Sequence, residues 1–301
     1  MLKLNGIIPA VPTPFDAEGN LATDKLKENF NYWNQFDLKG YLMLGSNGEM
    51  VMLTHRERLE VLEAARTVIH GDKIMLAGTG CQSTRETIEL TKEAARIGAD
   101  AALVLNPFYY KNQMTRKALE EHYLSLADAS PIPVLVYNMP ASTGIDLDAD
   151  MVVSLSGHQN IIGLKDSGGN LVKKGTVMDL VKSEFQVMAG SAGFLLPALS
   201  AGAVGGILAL ANIAPQQCIN LYHAFCSGEK ERYGNLQSKI MELNTAVTGQ
   251  WGVPALKEAM DFIGMYGGPA RKPLMPLSGE EREQLHALLT GFSLQPGVFE
   301  K

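Results

Sequence analysis

Residues 74–105 read IMLAGTGCQSTRETIELTKEAARIGADAALVL, and the pattern changes twice within them. An apolar run, Ile74–Ala77, gives way to Ser83-x-x-Glu86, the spacing at which a serine side chain caps the first helical turn and a glutamate reaches back to the serine's own N–H. Leu90, Ala94 and Ile97 then recur at helical spacing, and Gly98 supplies a residue that readily adopts the left-handed backbone that ends helices. A second apolar run follows at Ala101–Leu105. Strand, amphipathic helix and strand in that order form a βαβ unit, whose strands are parallel and covered on both faces.

The same alternation extends in both directions. Eight apolar runs bounded by Gly, Pro or polar residues occur, at Gly6–Val11, Tyr41–Leu44, Ile74–Ala77, Ala101–Leu105, Val134–Tyr137, Ile161–Lys165, Phe185–Ala189 and Val204–Ala209. Thr54-x-x-Glu57, followed by Leu59, Leu62 and Ala65, marks a second capped amphipathic helix between them. Eight such units are the number that closes a barrel, whereas an open doubly wound sheet usually has fewer strands and a G-x-G-x-x-G turn after the first, which this chain lacks. The expectation is therefore an α/β protein whose residues 1–214 form a (β/α)8 TIM barrel. After Pro215 the text turns helical (Gln216–Ser227, Glu229–Thr248, Pro254–Ile263 and Gly279–Thr290), so residues 215–301 are expected to form a helical C-terminal extension.

Bulk properties narrow the function. With 301 residues, 46% hydrophobic and 19% charged, the chain can bury a large core. A formal charge of −6 with scattered Lys and Arg gives no electrostatic reason to bind nucleic acid or an anionic membrane. Pro9, Pro12 and Pro14 interrupt the apolar start before an h-region or spanning helix could form. The three cysteines, Cys81, Cys218 and Cys226, have no disulfide or zinc spacing and suit a reducing compartment, so the expected location is cytoplasmic.

In such barrels chemistry sits where strands end at the C-terminal face. Here those ends are Gly45-Ser46-Asn47-Gly48-Glu49, Asn106-Pro107-Phe108-Tyr109-Tyr110, Tyr137-Asn138, Lys165-Asp166-Ser167-Gly168-Gly169 and Gly190-Ser191, which direct one lysine and three tyrosines toward one mouth. Lys165 closes a strand buried on both faces. Either it snorkels beside Asp166 or, desolvated, it is an amine nucleophile toward a carbonyl. The Gly45–Glu49 turn can converge N–H groups and the Ser46 and Asn47 side chains on a carboxylate, or be an ordinary βα turn. Tyr137 is an acid/base or a core tyrosine with a satisfied hydroxyl. Gly205-Gly206 before Ile207 suits a phosphate loop or close strand packing equally. The six histidines (His55, His70, His122, His158, His223 and His286) lie at no metal spacing and read as solvated helix or loop positions, so no metal is expected.

Taken together, the G-x-x-G-E turn at Gly45–Glu49, Tyr137 followed by Pro140 and Thr143-Gly144, and the G-x-K-[DE] strand at Gly163–Asp166 resemble the dihydrodipicolinate synthase / N-acetylneuraminate lyase family over nearly the whole chain. The strings GSNGE, PFYY, SPIPV, KDSGG, FQVMAGSAGFL, GAVGG and YGGPAR are most similar to its 4-hydroxy-2-oxoglutarate aldolase branch. The resemblance implies that Lys165 is the Schiff-base lysine, Tyr137 the proton shuttle, Ser46 with Asn47 the carboxylate clamp, and Tyr109 the tyrosine lent across a subunit interface. Gly48, Ser142, Ser167, Gly190 and Ile207 complete the implied substrate-binding set, in a homotetramer or homodimer without cofactor.

Two departures bear on substrate. Dihydrodipicolinate synthases carry an arginine just before the Thr-Gly pair, where its planar fork holds the second substrate's carboxylate, and this chain has Ser142. Neuraminate lyases carry Thr-Ala after the lysine, and this chain has Asp166-Ser167-Gly168. The expected reaction is cleavage of a 4-hydroxy-2-keto acid, foremost 4-hydroxy-2-oxoglutarate, to pyruvate and glyoxylate. Dihydrodipicolinate synthase, a 2-keto-3-deoxy sugar acid aldolase and a non-catalytic keto-acid-binding barrel are the alternatives. A phosphate-binding barrel isomerase lacks support, since no paired Glu and His occupy strand ends.

Overall fold

The computed structural model describes residues 2–297. Eight parallel strands alternate with helices: β1 Gly6–Pro9, β2 Gly40–Met43, β3 Ile74–Gly78, β4 Ala101–Leu105, β5 Val134–Asn138, β6 Ile161–Asp166, β7 Gln186–Ala189 and β8 Gly205–Leu208. Their order in the sheet is β1-β8-β7-β6-β5-β4-β3-β2. The sheet closes where Lys39 N–H donates to Ile7 O and Val11 N–H to Leu42 O, both at 2.9 Å, beside a parallel bridge between Ala10 and Leu42. This is a (β/α)8 barrel with every strand position buried, as continuous rather than alternating apolar runs require.

The helices of the barrel half are α1 Thr23–Trp33, α2 His55–Arg66, α3 Thr84–Ile97, α4 Arg116–Ala129, α5 Pro140–Thr143, α6 Ala149–Ser156, α7 Leu171–Leu180 and α8 Leu195–Ser200. Beyond them come α9 Pro215–Cys226, α10 Lys230–Thr245, α11 Gly252–Phe262 and α12 Gly279–Gly291, close to the expected helical segments. Thr54 and Glu57 form the full capping box at α2. At α3 only half of the expected box forms: Ser83 Oγ accepts from Glu86 N–H, but the Glu86 carboxylate lies 3.8 Å from the Arg58 guanidinium, whose charge outcompetes a neutral backbone N–H.

Side chains sort by strand face. Val104, Val136, Leu164 and Val187 pack outward against Tyr123, Met151, Leu155 and Val177 of the surrounding helices. The intervening residues Leu103, Leu105, Leu135, Tyr137 and Met188 belong to a second cluster that fills the barrel and continues into α9–α12. The C-terminal part is tied to the barrel by polar contacts as well: Asn29 exchanges two hydrogen bonds of 2.8 Å with the Tyr266 backbone, and Tyr266 OH donates to Phe15 O at 2.9 Å. Among the described residues no helix is long and apolar enough to cross a membrane.

Candidate active site

Alternation along β6 decides the surroundings of its last two residues. Leu164 faces the helices, so Lys165 faces the barrel interior and Asp166 faces outward again. Lys165 is 3% exposed, and its Nζ stands 4.3 Å from the ring centroid of Tyr137, its partner in the β5–β6 register. Asp166, fully buried, forms an ion pair with Lys174 of α7 and accepts from Asn138 Nδ2 at 2.8 Å and from Gly168 N–H at 3.0 Å. Burial raises the Asp166 pKa, but the Lys174 hydrogen bond and charge, with the Asn138 and Gly168 donors, outweigh it and hold the carboxyl below its ordinary value. Asp166 therefore answers Lys174, and among the described residues no carboxylate lies within ion-pair distance of Lys165.

The Tyr137 hydroxyl lies 3.3 Å from Ser46 Oγ at the end of β2, with the Ser167 and Lys165 side chains close enough to influence its ionisation. Burial raises the Tyr137 pKa, yet the Lys165 charge and the polar side chains of Ser46, Ser167 and Lys165 bring it below the usual phenol value. A phenol so placed exchanges a proton more readily than a core tyrosine such as Tyr123, which donates to Val104 O and is pushed upward by burial. Ser167 reaches this position because residue 190 is glycine: a Cβ there would stand 2.0 Å from Ser167 Oγ. Ser46, Tyr137, Lys165, Ser167 and Gly190 thus converge.

Ser46 sits on a single 3-10 turn, Ser46–Gly48, bracketed by two non-glycine residues in the left-handed region, Leu44 at φ 57° and Glu49 at φ 53°. Such backbone is strained by about 1–3 kcal/mol per residue and persists only where its surroundings hold it. Here Glu49, 2% exposed, makes an ion pair of 2.6 Å with Lys257 of α11 and accepts from Arg271 N–H at 2.7 Å. Lys257 and Arg271 flank the Phe15 ring at 4.4 and 4.2 Å. Burial lowers the Lys257 pKa, opposed by the Glu49 charge. Gly48 O accepts from Thr13 Oγ1 at 2.7 Å, and Asn47 Nδ2 donates to Ala10 O at 3.3 Å, so one Asn47 donor is used by the barrel itself.

The other expected positions are spread around the mouth. Tyr109 and Tyr110, 75% and 69% exposed and edge-to-face at 5.1 Å, project from the chain surface rather than into the barrel, and the Tyr109 N–H is held by Gln82 Oε1 at 2.9 Å. Ser142 lies exposed on α5. Ile207 is wholly buried in the core on β8. Close packing accounts for the paired glycines before it: a Cβ on Gly205 would stand 2.1 Å from Gly6 O, and one on Gly206 2.8 Å from Leu208 Cδ2. His122 departs from its solvated reading. It is 4% exposed on the inner face of α4, its Nδ1 is 2.9 Å from Thr84 Oγ1, and burial lowers its pKa to about 4.

The Glu49–Lys257 pair and the Asp166–Lys174–Asn138 network were not anticipated from sequence. Lys257 leaves a faint signal, a lone cation within the buried stripe of Ala255, Leu256, Ala259 and Met260.

Comparison with known proteins accords with this geometry. Residues 3–291 match the model of the dihydrodipicolinate synthetase family. A 4-hydroxy-tetrahydrodipicolinate synthase from Methanothrix thermoacetophila is 35% identical, the match covering 96% of this chain and 97% of the relative. An uncharacterized DapA-like lyase from Halobacterium salinarum is 34% identical over 97% of this chain and 95% of its own. Among solved structures, dihydrodipicolinate synthase from Aquifex aeolicus superposes with a TM-score of 0.92 at 29% identity, covering 97% of this chain and 99% of that one. A prophage protein of the dihydrodipicolinic acid synthase family from E. coli K12, in complex with pyruvate, does so at 0.91 and 30%, covering 97% and 100%. A match over nearly the full length, together with superposition on solved structures at TM-scores above 0.9, leaves one conclusion: the chain belongs to the dihydrodipicolinate synthetase family and is a lyase of the class I, Schiff-base-forming aldolase type.

Proposed function

We propose that the chain cleaves a 4-hydroxy-2-keto acid, foremost 4-hydroxy-2-oxoglutarate, to pyruvate and glyoxylate through an imine on Lys165. The observation that carries this reading is the buried Lys165 amine 4.3 Å from the Tyr137 ring, with the phenol 3.3 Å from Ser46. Lys165, once it has given up its proton, adds to the C2 carbonyl, and uptake of one proton with loss of water from the carbinolamine leaves a protonated imine. Tyr137, directly or through Ser46, takes the C4 hydroxyl proton. The C3–C4 bond breaks, the aldehyde leaves, and the bonding pair flows into the imine as an enamine. Protonation at C3 and hydrolysis by water return pyruvate and the free amine. The substrate's C1 carboxylate is assigned to the Ser46–Gly48 turn, whose first N–H groups the turn itself leaves free. Gly48, Asn47, Ser142, Ser167, Gly190 and Ile207 belong to the proposed binding surroundings.

A second reading, condensation of pyruvate with aspartate semialdehyde, is favoured by the names of the relatives. Ser142 weighs against it, since a hydroxyl replaces a bidentate cation and costs on the order of 2–3 kcal/mol of carboxylate binding. The kcat/KM values for cleavage and for condensation, measured on one preparation, separate the two. Cleavage faster by tenfold or more supports the aldolase, and the reverse ratio overturns it. The same proposal includes a homodimer or homotetramer in which Tyr109 meets a second copy, and a cytoplasmic location suited to the free thiols of Cys81, Cys218 and Cys226.

A further inference from the structure

We propose that Lys111 is the specificity-determining cation for the distal carboxylate of a five-carbon 2-keto diacid, an inference that rests on the substrate reading above. The chain leaving β4 makes a short turn at Lys111–Gln113 and returns toward the exit of β5. There the Lys111 side chain lies across Gly144, the last residue capping α5: a Cβ on Gly144 would stand 2.7 Å from Lys111 Nζ, 3.3 Å from its Cε and 3.6 Å from its Cδ. Gly144 has φ 66°, and its lack of a side chain leaves open the space that the lysine side chain occupies.

Gly144 lies close to the exit of β5, since α5, which it caps, begins two residues after that strand ends. β4 and β5 are neighbours, with Leu105 opposite Tyr137 in register. At the start of α5, Pro140 Cγ is 3.4 Å from where a Cβ on Gly168 would stand, and Gly168 follows Ser167, whose hydroxyl reaches Tyr137.

Other cations nearby are committed. Lys173 pairs with Asp146, and Arg116 lies within 3.0 Å of Glu120 and within 3.8 and 3.9 Å of Asp148 and Asp150. Lys111 is exposed, and among the described residues no carboxylate lies within ion-pair distance of it. The adjoining Ser142 offers a hydroxyl only. A substrate with its C1 carboxylate in the Ser46–Gly48 turn and its C2 on Lys165 extends its far end toward the exit of β5, where Lys111 is the cation that a carboxylate meets.

The test uses two 2-keto acids of equal length that form imines without needing cleavage: 2-oxoglutarate, with a distal carboxylate, and 2-oxopentanoate, with a methyl group. Borohydride trapping at graded concentrations gives the half-saturating level of each in wild type, Lys111→Met and Lys111→Arg. The wild type is expected to favour 2-oxoglutarate by about tenfold, the size of one partly solvated charge-assisted hydrogen bond, and Lys111→Arg to keep most of that preference. Lys111→Met should erase it while leaving 2-oxopentanoate and pyruvate trapping unchanged. A wild type without the preference, or a Lys111→Met variant that keeps it, overturns the assignment. A cleavage assay on the same preparation reads the aldolase proposal separately, and the absence of any adduct overturns both.

Discussion

Tyr137 and Lys165 face one another in the β5–β6 register with the lysine nitrogen 4.3 Å from the phenol ring centroid, while their neighbours Asn138 and Asp166, also register partners, are hydrogen-bonded at 2.8 Å on the opposite face of the sheet. One pair of adjacent strands therefore carries Tyr137 and Lys165 inward and Asn138 and Asp166 outward, and the position of each follows from the two-residue period of a strand.

Replacing Tyr137 by Phe should lower kcat by roughly 10²–10⁴-fold, the usual contribution of a positioned acid/base, while slowing but not abolishing imine formation. Steady-state turnover together with rapid-mixing detection of the imine checks both halves. Near-normal turnover would return Tyr137 to the role of a core residue.

Gly190→Ala should displace Ser167, because the new methyl would stand 2.0 Å from its hydroxyl and 2.9 Å from Asp166 O. Loss of a donor to Tyr137 and a shift of the β6 end should reduce kcat by roughly 10²-fold. Unchanged kcat with a wild-type melting curve would show that Ser167 does not support the phenol.

Lys257→Met leaves the Glu49 carboxylate buried without its cation and should destabilise the fold by about 3–5 kcal/mol, read by denaturant unfolding. Combining it with Glu49→Leu should recover much of the loss, since an apolar pair replaces an uncompensated charge. A single variant as stable as wild type would mean that the pair does not hold the Ser46 turn.

The Arg271 hydrogen bonds to Glu57 draw its pKa down to about 2, against desolvation that raises it. A carboxyl depressed in the folded state contributes stability that is present above its unfolded value, about 4.3, and is lost as the pH falls through the folded value. Unfolding free energy should thus decline more steeply from about pH 5 to pH 2 in wild type than in Glu57→Gln. Parallel curves would contradict the assignment.

The barrel was legible in the sequence because buried parallel strands announce themselves as unbroken apolar runs, and all eight were placed within a residue or two of their observed ends. Lys165 and Tyr137 could be placed at one mouth from strand ends alone, and the family resemblance supplied roles that spacing could not. What stayed hidden was contact between segments distant in sequence. Glu49 and Lys257 are far apart along the chain, and neither has a local pattern that names the other. His122 shows the same limit: its burial depends on how α4 lies against Thr84, which helical periodicity does not report. Asp166 looked like a companion of Lys165, but adjacent strand residues face opposite ways.

The most direct test of the central claim is reduction by borohydride in the presence of pyruvate, followed by peptide mapping with mass spectrometry. Irreversible inactivation is expected, with a single pyruvyl adduct on Lys165 that is absent from Lys165→Ala. An adduct on any other lysine, or full activity with none, would contradict that claim.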